Sequence, residues 1–464
     1  MQFMSKPVLF ILIVIGILGG LVVLAMIPIA EKNIFFMLAI PFAAFFFLVM
    51  VLRPKETLVL LIFVRSLLDL LLENTRVNVS SSSAGIGGIL NLLIIGLALI
   101  LIFNDSGQFS KVFFFVRWWV LFILVCAISV TYSPDKAKTF KFVLQQVSSM
   151  LIFVIPFFIV KNSQDKKFWI KVLLFSSILP LLIADFGLIS KNHLLYVQSS
   201  DVGWRLRGTF THANILSFYM VLLIVIVFYI LKTDNFSLSA QKKNMLRLYM
   251  LNLVGILLAT QARTAVVSCW LFFVLYGLLK EKKYLVIILF LSLLVGLTPQ
   301  VRERITTLQT KNASKADLDK NSFHWRTMLW SDTLPMIQGS PIYGHGAGSF
   351  IILSHTFARV GSEGAYAHNV YLEILFETGV IGLVCYLAFF LMLLKLYFLN
   401  MVKGVGNISV EGAILFSYLV GYLAVCFADN MLIYITFNWY FFLFLGVITR
   451  ALFFSEKNEG AQAL

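Results

Sequence analysis

The strongest constraint on this chain is a succession of apolar runs, most of them about 20 residues long, separated by short polar breaks. A helix of ~20 apolar residues is long enough to cross the hydrocarbon core of a membrane. The chain is 60% hydrophobic and only 13% charged, which is too little charge for a soluble protein of 464 residues. We therefore predict an all-α, polytopic integral membrane protein with about 12–14 transmembrane helices.

The candidate transmembrane helices, about fourteen in number, follow from reading apolar runs against polar breaks. The first run is too long for the core of a signal peptide, so we interpret it as an uncleaved helix. The third run is short and charged, and the pair within 247–279 could form one bent element. The full set lies near residues 8–29, 34–52, 57–72, 87–103, 113–130, 142–160, 168–189, 211–231, 247–260, 264–279, 284–298, 369–398, 411–429 and 431–449.

The positive charge of the chain is distributed in a way that indicates its orientation. A net charge of +15 would suggest nucleic-acid binding in a soluble protein. Here the basic residues lie in short loops on alternate connections, which is typical of the cytoplasmic side of membrane proteins. We therefore predict no nucleic-acid partner, and we place both termini in the cytoplasm. The connections 73–86, 190–210, 261–263 and 299–367 then fall on the outer side.

The segment 299–367 divides the chain into three parts. It is too long for an ordinary connection and has nearly balanced charge, and long loops in compact proteins are usually functional or disordered. We predict an N-terminal transmembrane bundle (1–298), one large extracytoplasmic loop (299–367) and C-terminal transmembrane helices (368–464). Within the loop, Phe323 to Trp330 has the spacing of a short amphipathic helix at the membrane surface.

Cysteine and motif counts exclude several classes of site. The cysteines, which are Cys126, Cys269, Cys385 and Cys426, all lie in apolar runs without metal-ligand spacing. They predict neither a disulfide framework nor a structural metal. The sequence contains no phosphate-binding Walker loop, no convincing Asp-x-Asp metal site in an outer loop and no Gly-x-Ser-x-Gly elbow. We therefore predict neither an ATP-driven pump nor a metal-dependent transferase, and no cofactor.

His368 is the leading catalytic candidate, because it stands immediately before an apolar helical pattern on the outer side. Asn369 is the expected N-cap of that helix. The free N–H groups of a first helical turn favour anions and lower the pKa of a nearby histidine. A neutral imidazole can accept a proton. The alternative is a capping or interfacial histidine without chemistry, and position alone does not separate the two.

Arginines on the outer side form the second set of candidates. They cannot be explained as positive-inside anchors, and a guanidinium matches phosphate oxygens in pairs. Contact with lipid headgroups is the alternative role, more plausible for Arg205 than for Arg263. The arginines concerned are Arg205, Arg207, Arg263 and Arg326.

Other polar residues favour structural roles. Arg65 and Asp69 are spaced to pair on one helix face, and Asp185 and Asp429 lie near outer helix ends, where capping is expected.

Glu373 and Glu377 share a helix face just after His368, where they could orient arginines or sugar hydroxyls, or simply pair structurally. His345 lies in a glycine-rich segment suited to close backbone approach.

A neutral histidine beside several arginines suits displacement of a phosphate-bound leaving group by a hydroxyl. The histidine would take the hydroxyl proton, and the arginines would stabilise charge on the departing diphosphate. A donor carried on a lipid diphosphate would explain why such a site lies at a membrane surface.

Four motifs together resemble the O-antigen ligase and O-antigen polymerase superfamily. They are Arg-Leu-Arg-Gly-Thr-Phe-Thr-His-Ala-Asn at 205–214, Gln-Ala-Arg-Thr at 261–264, Pro-Ile-Tyr-Gly-His-Gly-Ala-Gly-Ser-Phe at 341–350, and His-Asn-Val-Tyr-Leu-Glu with Glu-Thr-Gly-Val-Ile-Gly-Leu at 368–383. The resemblance implies a GT-C-like glycosyltransferase that is inverting, metal-independent and active outside the bacterial cytoplasmic (inner) membrane. It implies an undecaprenyl-diphosphate-linked glycan as donor.

The resemblance also assigns roles by position. His368 matches the essential loop histidine of the family, and Arg207 and Arg263 match its donor-binding arginines. Arg205 and Arg326 are further candidates for the donor diphosphate. Supporting or substrate-contacting roles fall to the motif residues Asn369, Tyr371, Glu373 and His345.

The superfamily contains branches with one chemistry and different acceptors. A polymerase joins one lipid-linked repeat unit to another, and a ligase transfers the finished glycan to lipid A-core. We predict a polymerase of a surface polysaccharide such as O-antigen or capsule, with ligase as the close alternative and a chain-length regulator as a candidate partner. A lipid-linked oligosaccharide flippase is a weaker alternative, since the chain shows no repeated halves and its arginines lie at the outer edge.

Overall fold

The computed structural model describes residues 50, 52–75, 77–79, 82–199, 203–296, 322–360 and 364–462. The predicted helix at 8–29, and all but the end of the one at 34–52, lie outside these residues.

The described part of the chain is almost entirely helical. Its α-helices are α1 (Pro54–Asn74), α2 (Ile86–Asn104), α3 (Ser106–Ile128), α4 (Lys136–Val154), α5 (Pro156–Ile159), α6 (Ser163–Phe175), α7 (Ile178–Ser190), α8 (Ala213–Lys232), α9 (Ala240–Ala259), α10 (Arg263–Leu279), α11 (Lys282–Gly296), α12 (Ser322–Gly339), α13 (Phe350–Phe357), α14 (Val370–Lys403), α15 (Asn407–Val425) and α16 (Ile435–Gln462).

Two short antiparallel hairpins complete the described secondary structure. In the first, β1 (Val77–Val79) pairs with β2 (Ser82–Ala84), with Val77 opposite Ala84. In the second, β3 (Tyr196–Ser199) pairs with β4 (Gly203–Leu206). Both hairpins connect helices on the side that the sequence predicts to be the outer side.

Eight helical stretches in the described residues are long and apolar enough to cross a membrane. This confirms an all-α, polytopic membrane protein. The predicted runs at 57–72, 247–260, 264–279 and 284–298 are also helical, as α1, α9, α10 and α11. The pair within 247–279 forms two helices, because the chain turns at Gln261 with a φ of 54°. The eight stretches are Gly87–Asn104, Ser106–Thr131, Lys136–Ile159, Ser163–Ser190, Ala213–Lys232, Val370–Lys403, Asn407–Val425 and Ile435–Phe453.

Helices α8 and α16 form the centre of the bundle. From Ala213 to Ile230 every residue except Asn214 is buried, and α16 is buried without interruption from Ile435 to Thr449. A helix that is apolar on all sides lies either inside a protein or in lipid, and other helices of the protein cover these two. The surrounding helices instead turn large apolar side chains outward, for example Leu248 and Leu251 on α9. Exposed apolar surface of this kind is expected where the solvent is lipid.

Helix α14 contains a sharp break that the glycine-rich segment 341–350 stabilises. Gly379 has φ 65° and ψ −169°, a conformation essentially restricted to glycine. The break frees backbone groups, and the N–H groups of His345 and Gly346 donate to the carbonyls of Phe376 and Glu377 at 2.9 and 2.8 Å. The broken helix therefore keeps its backbone hydrogen-bonded, as non-helical backbone in a membrane protein requires.

The glycines of this segment permit direct backbone contact with α14. A Cβ atom at Gly344 would lie 2.4 Å from the carbonyl carbon of Glu377, and one at Gly379 would lie 2.1 Å from the Ile342 oxygen. The close backbone approach that the sequence predicts at 341–350 is thus present, and the partner is α14.

Gly379→Ala should destabilise the protein strongly. The substitution forces a glycine-only conformation, which costs about 1–3 kcal/mol, and it drives a methyl group into the Ile342 carbonyl. Gly255→Ala is the matched control, because a Cβ at that helical position meets nothing within 4 Å. Thermal denaturation in detergent should show a clear loss of Tm for the first variant only. Equal melting temperatures would contradict this role of the break.

Candidate functional site

Side chains from distant parts of the sequence meet at the outer end of the bundle. We call them the outer cluster, defined as Arg205, Asn214, Thr264, Arg326, His368, Asp429, Asn430 and Tyr434. They come from β4, from the first turns of α8 and α10, from α12, and from the two turns that precede α14 and α16.

The backbone around His368 is held in a fixed and unusual conformation. His368 has a φ of 49°, in the left-handed region that few residues other than glycine adopt. On either side, Trp330 Nε1 donates to the Ala367 carbonyl at 2.7 Å, and Val370 N donates to the Cys426 carbonyl at 2.8 Å. Asn369 caps α14, as predicted, by accepting from two backbone N–H groups at 3.1 Å. Backbone strain held by surrounding contacts is characteristic of functional positions.

The imidazole of His368 is half-buried and packs against two elements. Its Nδ1 lies 3.1 Å from Asn430 Nδ2, and its ring centroid lies 6.0 Å from that of Trp325. Burial, followed by the charge of Arg326, lowers the pKa of His368 to about 4, while Asp429 acts in the opposite direction. The ring is therefore neutral at physiological pH. The lowered pKa agrees with the sequence prediction, but its cause differs. The sequence predicted an effect of the helix N-terminus, whereas burial and the charge of Arg326 lower the pKa in the structure.

Asp429 is the centre of the outer cluster. Its carboxylate is buried and accepts from Tyr434 OH at 2.6 Å, Thr264 Oγ1 at 2.7 Å and Asn214 Nδ2 at 3.1 Å. The backbone N–H of Asn430 donates to it at 2.9 Å. A buried carboxylate is tolerated when hydrogen bonds replace its hydration. Asp429 therefore joins α8, α10 and the turn before α16 at one point.

Two of the predicted arginines contribute to this network. Arg205 donates from Nε to the Thr260 carbonyl at 2.9 Å and from Nη2 to Asn214 Oδ1 at 2.5 Å. Arg326 donates from Nη1 to the Ala428 carbonyl at 2.8 Å, one residue before Asp429. A continuous series of hydrogen bonds thus runs from Arg205 through Asn214, Asp429 and Asn430 to His368.

The other two arginines lie beside the network. Arg207 donates from Nη2 to the Leu194 carbonyl at 3.2 Å, and burial lowers its pKa. Its Nε is buried and has no hydrogen-bond partner among the described residues. Arg263 is exposed at the start of α10, next to Thr264. Among the predicted arginines, Arg326 is the one whose charge acts on His368.

His212 is a second histidine at this site. Its Nδ1 accepts from Asn214 N at 3.1 Å and so caps α8. Desolvation by surrounding protein atoms, followed by the charge of Arg205, lowers its pKa. The motif at 205–214 therefore folds into a helix cap that orients Asn214 toward Asp429.

The remaining predicted residues lie away from the His368 ring. Tyr371 OH donates to the Leu423 carbonyl at 2.6 Å, which joins α14 to α15. Glu373 accepts from Ala367 N at 3.3 Å and supports the turn that carries His368. His345 packs on Phe376 with tilted rings whose centroids are 4.6 Å apart, and its Nε2 lies 2.9 Å from the Met336 carbonyl. Their contacts are those of supporting residues.

The structural roles expected for several charged residues are visible. Arg65 and Asp69 pair at 3.5 Å, and Asp69 also accepts from Thr211 N at 3.1 Å, which anchors the 205–214 segment to α1. Asp185 accepts from Asn252 at 3.0 Å and joins α7 to α9.

The sequence analysis did not identify Asn430, Thr264 or Tyr434, and it assigned Asp429 only a capping role. Thr264 stands in the motif 261–264 but had no role of its own there, and Asn430 and Tyr434 lie outside the four motifs, because each acts through contacts between distant segments. Within the ranges that the structure covers, no group of three or more His, Cys, Asp or Glu side chains could hold a metal ion.

Comparison with known families supports the resemblance of the motifs. The O-antigen ligase family profile matches residues 248–387. This part of the chain is therefore similar to the O-antigen ligase family. No curated protein matches the chain.

The O-antigen ligase region supplies only part of the outer cluster. It contains Thr264, Arg326 and His368, together with the glycine-rich segment that stabilises the break in α14. Asp429 and Asn430 lie beyond its C-terminal limit. The site therefore combines the family region with a turn from the last helical pair.

Asn430 determines which ring nitrogen of His368 can accept a proton. If its amide presents NH₂ to Nδ1, the proton of the neutral ring must sit on Nε2. If the amide presents Oδ1, it accepts from Nδ1–H, and Nε2 carries the lone pair. In the part of the chain that the structure describes, Oδ1 of Asn430 is buried without a partner. Turning the Asn430 amide so that Oδ1 faces His368 Nδ1 therefore breaks no hydrogen bond of Oδ1.

Asn430→Asp should shift the pH dependence of transfer. A carboxylate beside Nδ1–H stabilises the imidazolium, and an opposite charge at this range raises a pKa by about 1–3 units. If His368 acts as the base in glycan transfer, the acidic limb of kcat/KM against pH should move to higher pH. Asn430→Leu should lose activity without that shift. An acidic limb unchanged in Asn430→Asp would contradict the proposed contact.

Proposed function

We propose that this protein is a membrane glycosyltransferase that polymerises lipid-linked repeat units of a surface polysaccharide. The observation that carries the proposal is a neutral, half-buried histidine beside Arg326, within the segment that matches the O-antigen ligase family. The enzyme would act on the outer face of the bacterial cytoplasmic membrane, with both termini inside. Residues 299–367 would form its large extracytoplasmic segment, between transmembrane parts 1–298 and 368–464.

The donor would be an undecaprenyl-diphosphate-linked glycan, and the acceptor hydroxyl would belong to a second lipid-linked glycan. His368 Nε2 would take the proton from this hydroxyl as its oxygen attacks the anomeric carbon. The bond between that carbon and the diphosphate oxygen breaks, and its electron pair leaves with the diphosphate. Attack from the face opposite the leaving group inverts the anomeric centre.

The charges around His368 suit both stages of this reaction. In the free site, burial and Arg326 keep His368 neutral and ready to accept a proton. A bound diphosphate adds negative charge nearby, which raises the pKa of the histidine and makes it a stronger base. Arg207 and Arg263 are the candidates to hold the diphosphate, and their permanent charge would stabilise the leaving group without a metal ion.

Four further residues would organise this arrangement indirectly. Arg205 orients Asn214 and, through it, Asp429, while Asp429 orients Asn430 behind His368. Asn369 and Glu373 hold the turn that presents His368. We therefore assign these residues positioning roles.

The acceptor distinguishes the two branches of the superfamily. We favour polymerase because the motif block 341–383 is fully developed and the chain carries no separate ligase signature. The ligase alternative, with lipid A-core as acceptor, is favoured by the description of the matching family. A polymerase would also give a role to a chain-length regulator as partner.

His368→Ala should abolish polymer formation. The test uses purified protein in nanodiscs with a defined undecaprenyl-diphosphate-linked repeat unit, in the presence of EDTA, and resolves products by length on a gel. Loss of a general base costs about 10²–10⁴ in rate. The matched control is His355→Ala, an exposed histidine on α13 outside the outer cluster.

The outcomes separate the alternatives. A ladder made by the wild type and the control, and lost in His368→Ala, supports the polymerase. Transfer that appears only after lipid A-core is added assigns the protein to the ligase branch. Full activity of His368→Ala refutes the role of general base.

A further inference from the structure

A cavity of about 390 Å³ lies beside the outer cluster, between α1, α2, α4 and the start of α8. Its volume falls in the range of small-molecule binding sites, ~300–1,000 Å³. Thr211 lines it one residue before His212, and Ile433 lines it three residues after Asn430. Among the described residues that line the cavity, none belongs to the outer cluster. The two sites therefore share the segments 209–214 and 429–436 as a common wall.

The polar lining of the cavity has balanced charge. Two cations, Arg65 and Lys141, face the cavity together with two carboxylates, Asp69 and Glu73. A diphosphate would meet repulsion from the carboxylates, and a cationic ligand would meet repulsion from the basic groups. Balanced charge with amide and hydroxyl groups suits an uncharged ligand that both donates and accepts hydrogen bonds. The amides are those of Asn91 and Gln145.

One buried donor at this cavity is not satisfied by the protein. Arg65 is 92% buried, since its relative exposure is 8%. One end of its guanidinium pairs with Asp69 at 3.5 Å, but its Nε has no hydrogen-bond partner among the described residues. An unpaired buried donor is costly. The Arg65 side chain lines the cavity, so a ligand oxygen there would meet a positively charged group of hydrogen-bond donors.

The cavity also offers apolar surface and open space. Phe140 lines it and is 57% exposed, which is enough to present its ring to a ligand. Gly88, at the start of α2, also lines it, and a Cβ atom there would meet nothing within 4 Å. Sugars combine hydroxyl groups at their edge with apolar C–H faces that pack on aromatic rings. The lining matches both features.

We propose that this cavity binds an uncharged sugar residue of the acceptor glycan. This inference rests on the proposed function, because it assigns the acceptor to one side of the shared wall. The donor diphosphate would lie on the other side, with Arg207 and Arg263. One sugar residue of the acceptor would be held in the cavity, away from the reacting atoms. The terminal hydroxyl of the same glycan would extend past the shared wall to His368.

Gly88→Phe should block the cavity by filling it. Gly88 has no positive φ, and a Cβ atom there meets no other atom within 4 Å, so a large side chain can start from this position toward the cavity. Gly255→Phe is the matched control, because Gly255 is also a helical glycine with open space around its Cβ, on α9. Equal melting temperatures in detergent would establish that both variants fold.

Binding is measured with a soluble probe, the oligosaccharide repeat unit released from its lipid diphosphate by mild acid. Saturation-transfer NMR on protein in nanodiscs reports its Kd without requiring catalysis. Wild type, Gly255→Phe and His368→Ala should bind alike, and Gly88→Phe should bind at least tenfold more weakly. If Gly88→Phe does not fold, Phe140→Ala and Asn91→Ala replace it, each with an expected loss of threefold or more.

The result is independent of the test of the reaction. Binding that Gly88→Phe removes, in a protein that transfers no glycan, would support the glycan site and refute the transferase proposal. Transfer by Gly88→Phe with unchanged KM for acceptor, together with unchanged binding, would refute the acceptor site and leave the transferase proposal standing. Unchanged binding of the oligosaccharide in Phe140→Ala and Asn91→Ala would also refute the acceptor site.

Discussion

The buried carboxylate of Asp429 is the interaction on which the outer site depends. It has lost its hydration, and the four donors that replace water come from α8, α10 and the turn that precedes α16. Removing any one donor would leave a buried charge poorly satisfied, which costs more than the bond itself contributes. The carboxylate therefore selects one arrangement of these helix ends and, through Asn430, one position for His368.

A second set of contacts fixes His368 from the opposite direction. The break at Gly379 lets the segment 341–350 dock on α14 through backbone hydrogen bonds, and Trp330 holds the carbonyl of Ala367. His368 is thus placed by the long helix that follows it and by the turn that faces it. A strained φ and a half-buried, neutral ring are the consequences of this double constraint.

Much of this arrangement could be predicted from the sequence because it is encoded locally. The apolar runs predicted the helices, and the order His368-Asn369 before an apolar pattern predicted a capped helix with a histidine at its entrance. The arginine motifs predicted charge on the same side. The roles of Asn430 and Thr264 could not be found in this way, since their importance arises only when distant segments meet.

The glycines at 341–350 show the same limit of prediction from sequence. Their pattern predicted close backbone approach, but only the structure shows that the partner is α14.

The central claim is that the lipid diphosphate binds at the outer cluster, with its sugar beside His368. A structure of the protein in nanodiscs with an undecaprenyl-diphosphate-linked repeat unit, determined by electron cryomicroscopy, tests this most directly. The account predicts diphosphate oxygens within hydrogen-bond distance of Arg207 or Arg263, and the first sugar facing Nε2 of His368. A diphosphate bound at the opposite end of the bundle, or a sugar remote from His368, would contradict it.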